Sequence, residues 1–256
     1  MSRRWLALVA CVFSFVSILS WSAVAEAAAI GEVVAVSGAP SASGPTGERK
    51  LSAGSAVFED DKIVVRSGNA QIKLNDGTKL VVGPGSTLIL DKYVSSDTGA
   101  AQNVSVKALR GTFRFITGRS KKGAYKITTA NATIGIRGTG FDYWVNTRTG
   151  VAVLVGAVKL SGNSGGSVNL RADCEVGRAG GGSAIRLDGI AKSNNLKRNF
   201  PFIASQTSLN SQFRLPITNC RTSLFKGSDR ESGESGGGTL GEENEPKGND
   251  DDKRDQ

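Results

Sequence analysis

An all-β fold of many short strands is what this sequence predicts, and three observations carry the prediction. Side chains alternate with a period of two between residues 31 and 189, glycine-centred turns recur at roughly ten-residue spacing, and helical periodicity is scarce. With 33 glycines in 256 residues, this pattern describes a single Gly-rich β-sandwich, barrel or short β-roll. Taken in order, Ala70, Ile72 and Leu74 alternate with Gln71, Lys73 and Asn75, and Asp76-Gly77 supplies a turn. Leu80 and Val82 resume the pattern, Gly83-Pro84-Gly85 interrupts it, and Leu88 and Leu90 follow. Phe113 and Phe115 flank Arg114. Phe141, Tyr143 and Val145 share one face opposite Asp142, Trp144 and Asn146. After a turn at Thr149-Gly150 come Val151, Val153 and Val155, and then Val158 and Leu160 about Lys159.

The two ends differ from this body. Arg3 and Arg4 precede an apolar run to about Trp21, and small residues follow, with Ala23-x-Ala25 and Ala25-x-Ala27 as processing sites. Those three zones in that order predict a secretory signal peptide over residues 1–25, hence export to the periplasm or beyond it, with no integral membrane span in the mature chain. The β domain is expected over residues 30–189. Residues 190–226 read as a basic extension, a short helix plus a strap lying on the sheet. Residues 227–256, rich in Gly, Ser, Glu and Asp, have too little apolar surface to offset their ordering entropy and read as a disordered tail. Charge divides along the same lines. The tail holds 4 basic and 10 acidic residues, while residues 26–226 carry a net charge of +13. A basic body favours anionic partners.

The composition also excludes chemistry. There is no histidine, which removes Ser-His and Cys-His nucleophilic pairs and the usual zinc sites. No phosphate-binding loop occurs, and Gly135–Gly140 lacks the dinucleotide spacing. Carboxylates for glycan hydrolysis exist at Asp60, Asp61, Asp91, Asp97 and Asp142, but Asp60 and Asp61 are neighbours and would point to opposite faces of a strand. The cations are scattered without a nucleic-acid recognition motif. No enzyme activity, cofactor, metal or nucleic-acid partner is expected. Cys174 and Cys220, the cysteines outside the leader, either pair or stay as two thiols; pairing would close a loop worth about 4 kcal/mol by chain entropy.

Several segments in series carry a family resemblance: Leu51-Ser52-Ala53-Gly54, Asp60-Asp61-Lys62-Ile63, Ser67-Gly68-Asn69-Ala70, Asp76-Gly77-Thr78, Pro84-Gly85-Ser86-Thr87-Leu88, Leu109–Phe115, Thr128–Ala132, Ile136–Phe141 and Val155–Val158. Their order resembles the FecR-type domain of bacterial envelope proteins, over roughly residues 31–180. The resemblance implies a periplasmic module that receives or passes a signal. Founding members place a cytoplasmic sigma-binding segment and a membrane helix before this domain. Here the leader begins at residue 1, so a stand-alone member without that regulator segment is expected. The family-motif residues Asp76, Gly77, Gly111, Arg137, Gly138, Thr139 and Phe141 are expected to be architectural, with glycines in tight turns or bulges and Arg137 bonding carbonyls or a carboxylate such as Asp142 or Asp76. A basic rim for a partner is expected at Arg110, Arg114, Arg119, Lys121 and Lys122. The leading partner is an envelope protein docking by strand addition. The rival is an anionic envelope polymer, lipopolysaccharide or peptidoglycan.

Overall fold

The structure is a computed structural model that describes residues 27–96 and 99–225, so the expected leader and the acidic tail lie outside the described residues. Its first eight strands are β1 (Ala29–Ser37), β2 (Ser41–Gly44), β3 (Gly47–Lys50), β4 (Ala56–Phe58), β5 (Lys62–Val65), β6 (Asn69–Leu74), β7 (Lys79–Val82) and β8 (Ser86–Ser95). The 16-residue β9 (Ala101–Ile116) follows. Then come β10 (Tyr125–Thr128), β11 (Ala132–Ile136), β12 (Gly140–Val145), β13 (Thr149–Val155), β14 (Ala157–Gly162), β15 (Ser167–Arg171), β16 (Glu175–Gly180) and β17 (Ser183–Leu187).

These strands form two layers that share β9. One layer runs β4-β1-β6-β7-β9-β12-β13-β16-β17. The other runs β3-β2-β5-β8-β9-β10-β11-β14-β15. The N-terminal part of β9 pairs with β8 and β10, and its C-terminal part with β7 and β12. Neighbours are antiparallel except β9 and β10, which run parallel. After β9, hairpins are added to the two layers alternately: β10–β11, β12–β13, β14–β15, β16–β17.

The crossing of β9 from layer to layer explains Gly111. Its φ is +108°, and a Cβ there would lie 2.1 Å from the Ser86 hydroxyl. That hydroxyl sits over the bend, accepting from the Thr112 N–H at 2.9 Å. Only glycine combines this backbone with this approach.

Between the layers lies the main core. Alternate residues point inward, so Ile72, Leu80, Phe113, Phe115, Phe141 and Val153 of one layer meet Ile63, Leu88, Val106, Ile127, Ile134 and Leu160 of the other. Phe113 stacks on Tyr143 at 4.8 Å between centroids, and Phe115 on Phe141 at 5.6 Å.

The strands of the first layer are apolar on their outer face too: β12 is buried at every position. Val81, Trp144, Ala152, Leu154 and Val176 face outward there and are covered by the C-terminal segment. We call this the covered layer and the other the open layer. The segment was expected as one short helix and an extended strap; it folds instead as α1 (Gly189–Asn199), α2 (Pro201–Ala204), a 3-10 turn at Ser211–Phe213 and α3 (Thr218–Phe225). Pro201 is the reason for the first break: it disfavours helical backbone at Phe200, whose φ and ψ are −122° and 71°. Leu196, Phe200 and Ile203 pack on Trp144, Ala152 and Leu154. Phe202, Leu209 and Phe213 pack on Val81. Cys220 of α3 is disulfide-bonded to Cys174, just before β16, with Cα atoms 5.1 Å apart. Among the described residues no helix is long and apolar enough to cross a membrane.

Candidate functional site

Arg114 is the residue on which the covered layer and the C-terminal segment meet, and it corrects the sequence expectation. Placed between Phe113 and Phe115, it was assigned to an exposed basic rim; it is fully buried. It stands on the outer face of the covered layer, across the ladder from Asp142 on β12. Its Nε and Nη2 donate to the two carboxylate oxygens at 2.6 and 2.9 Å. The remaining donors serve the segment that covers it: the carbonyls of Phe202 at 3.1 Å and Phe213 at 3.2 Å, and the Gln206 side chain. Gln206 then accepts from the Leu215 N–H and donates to its carbonyl. Burial pushes the Asp142 carboxyl up, and the charge and hydrogen bonds of Arg114 pull against it. A guanidinium whose donors are matched this fully is a structural clamp.

Beside it, Gln71 donates to the Ser208 carbonyl and accepts from the Asn210 N–H, while the Trp144 indole donates to Asn195 at 3.1 Å. Arg114 and Gln71 thus receive backbone groups that the covering segment leaves unpaired, while Trp144 holds a side chain of α1.

Asp76 anchors a second, purely internal network. Its carboxylate is buried and accepts from the Thr78 N–H and hydroxyl, the Ser120 hydroxyl and the Tyr125 hydroxyl, at 2.7–2.9 Å. It ties the turn at Gly77 to the loop between β9 and β10. Arg137 needs correction as well. It is exposed, and the two carboxylates suggested for it are occupied, Asp142 by Arg114 and Asp76 by these hydroxyls. Its neighbours do keep a tight connection. Gly138 has φ +69°, the Thr139 N–H bonds to Thr117, and Phe141 is wholly buried. Two of the carboxylates considered for glycan hydrolysis are engaged: Asp61 is buried and paired with Arg49, as Asp142 is with Arg114. Among the described residues no three His, Cys, Asp or Glu side chains gather as a metal site.

The five residues of the expected rim do not form one patch. Arg110 lies on the open layer beside Lys62, Arg66 and Leu109. Arg119, Lys121 and Lys122 belong to the loop after β9, where Lys122 packs against Gly138. Two exposed surfaces bear on partner binding. One is the outer face of the open layer. The other is the edge strand β17, paired on one side with β16, where Ile185 is 47% exposed above a groove lined by Arg148, Arg178 and Ser183. Sequence reasoning missed both Ile185 and the open-layer cations Lys107 and Lys159. The available signal was their alternation with core residues, Val106 and Ala108 about Lys107 and Val158 and Leu160 about Lys159.

Comparison with known proteins is consistent with the resemblance stated above. Two crystal structures of a protein from Parabacteroides distasonis, provisionally named an anti-sigma factor, are similar to 52% of this chain, each at 17% identity and a TM-score of 0.40. The chain spans 61% and 62% of the length of those two proteins. No curated protein matches it. The family model described as FecR protein matches residues 61–159, a span that runs from Asp61 on the Arg49 pair, through Asp76, the bend at Gly111 and the Arg114–Asp142 clamp, to Lys159. Over that span the sequence is similar to the FecR protein family.

Proposed function

We propose that this protein is a non-enzymatic interaction module of the bacterial envelope, acting in the periplasm as the input of a signalling pathway, and that it takes its partner protein along β17. The observation that carries this reading is that β17 ends the covered layer, laddered with β16 alone, although its start at Ser183 abuts Gly162 and Gly166 of the β14–β15 turn. An exposed Ile185 stands on the strand, with Arg148 and Arg178 lining the adjacent groove. Strand addition satisfies the unpaired backbone groups of an edge, and an apolar side chain flanked by arginines suits an extended segment carrying an apolar and an acidic residue. The FecR match supports a role in signal input rather than catalysis.

The test is photo-crosslinking in intact cells, with a photoreactive residue at Ile185 and, as a control, another at Lys122. A discrete envelope protein joined at position 185 and not at position 122 is expected. Capture of glycan polymer alone, or equal products from both positions, would overturn docking at this edge.

A further inference from the structure

The outer face of the open layer carries a line of cations that crosses the strands. Lys62 on β5 and Lys107 on β9 both stand opposite Ile89 of the β8 strand between them. Lys126 on β10 and Lys159 on β14 likewise both stand opposite Gly135 of β11. With neighbouring strands about 4.8 Å apart, each of these pairs is separated by about 10 Å. The gaps between the pairs are bridged diagonally. Lys107 faces Thr128, two residues from Lys126, and Lys159 faces Asn169, two residues from Arg171. Diagonal neighbours lie about 7–8 Å apart. All five cations are exposed and alternate with core residues. Against them stand Asp91, already bonded to Lys107 and Ser105, the exposed Asp60, whose charge also acts on Lys107, and Glu48 on the edge strand β3. Lys107 and Ser105 hold the Asp91 carboxyl below its ordinary range, and Lys126 adds to the effect. Beyond Arg171, Glu175 is paired with Arg186.

We propose that this face binds a linear polyanion laid across the strands, its charges meeting Lys62, Lys107, Lys126, Lys159 and Arg171 in turn. Scattered surface cations give no preferred direction. A line with near-regular steps that crosses the strands obliquely matches an extended polymer with recurring negative groups. Apart from Ile89 between Lys62 and Lys107, the intervening positions named along the line are small or polar (Thr128, Gly135, Asn169), and the C-terminal segment covers the opposite layer. Charge complementarity across an exposed surface makes such binding reversible and sensitive to salt.

The probe is polygalacturonate, a linear polycarboxylate, titrated into the purified protein at low salt, with neutral dextran alongside. Polygalacturonate is expected to bind and dextran is not. The triple variant Lys107→Gln, Lys126→Gln, Lys159→Gln should weaken binding by about tenfold or more and flatten its salt dependence. A second triple variant, Lys73→Gln, Lys197→Gln, Arg198→Gln, removes the same charge from the side of the covered layer and should bind as the parent does. Equal losses in both variants would reduce the effect to net charge and overturn the proposal, as would no binding by the parent protein. A photoreactive residue at Lys107 that captures a discrete protein in cells, with no polygalacturonate binding in solution, would also overturn it. The edge at β17 is tested separately, so either proposal can fail without the other.

Discussion

Arg114 and Asp142 stand as a buried ion pair whose donors are shared between a sheet and the segment that covers it. Such pairs stabilise little against an apolar replacement, yet removing one member leaves the other charged and unpartnered. Arg114→Leu is therefore expected to lower unfolding free energy by about 3–5 kcal/mol in urea denaturation. The double variant Arg114→Leu, Asp142→Leu should recover a substantial part of that loss; a double variant as damaged as the single would show that the contacts to Phe202, Gln206 and Phe213 dominate. Tyr143 presents the opposite case. It is buried under its stack with Phe113, and its hydroxyl has no hydrogen-bond partner among the described residues. Tyr143→Phe should stabilise the protein by about 1 kcal/mol, because an unsatisfied buried hydroxyl costs about that much. Burial pushes the Tyr143 phenol up, and burial also leads the rise at Tyr125, with the charge of Asp76 contributing. Below the unfolded value of about 10 both states hold these protons, so stability is fully present. As pH rises beyond it the unfolded chain ionises first and stability falls. The Phe variant should show a shallower alkaline decline in urea midpoint.

At the scale of elements, the C-terminal segment is held by apolar contacts, by backbone bonds to Arg114 and Gln71, and by the disulfide from α3 to the start of β16. The disulfide spans 46 residues, and reducing it should lower stability by about 2–5 kcal/mol, read as a fall in melting temperature with dithiothreitol. An unchanged melting temperature would mean that packing alone fixes the segment. This element also marks the limit of what the sequence conveys. Alternation about Phe113, Phe141 and Val151 reveals which side chains share a face, and the strands follow it. It does not say what lies over the other face. Arg114 and Asp142 sit at positions that face water in an uncovered sheet, and the cover arrives from residues 92 and 99 positions further along the chain. Asp76 was legible as a turn residue, whereas its partners Ser120, in the loop after β9, and Tyr125, at the start of β10, have no local signature. The open-layer cations follow the period of two faithfully, but their alignment depends on register between strands, and the hairpins and the parallel β9–β10 pair set that register.

The whole molecule is two-sided. One layer is closed by the chain's own C-terminal segment and the other is bare and cationic, with both layers hung on β9. Among the described residues, the closing segment lies after every strand. As synthesis proceeds, the strands of the covered layer are complete while Trp144, Ala152, Leu154 and Val176 still await Leu196, Phe200 and Ile203. The arginine clamp, too, lacks its last acceptors until residue 213 has emerged. A chain that stops short of this segment would display a sticky apolar face with a half-matched buried charge, and residues 189–220 are what conceal it. That exposed face is a ready mark of incompleteness, one that holding chaperones and proteases can read before any partner meets β17.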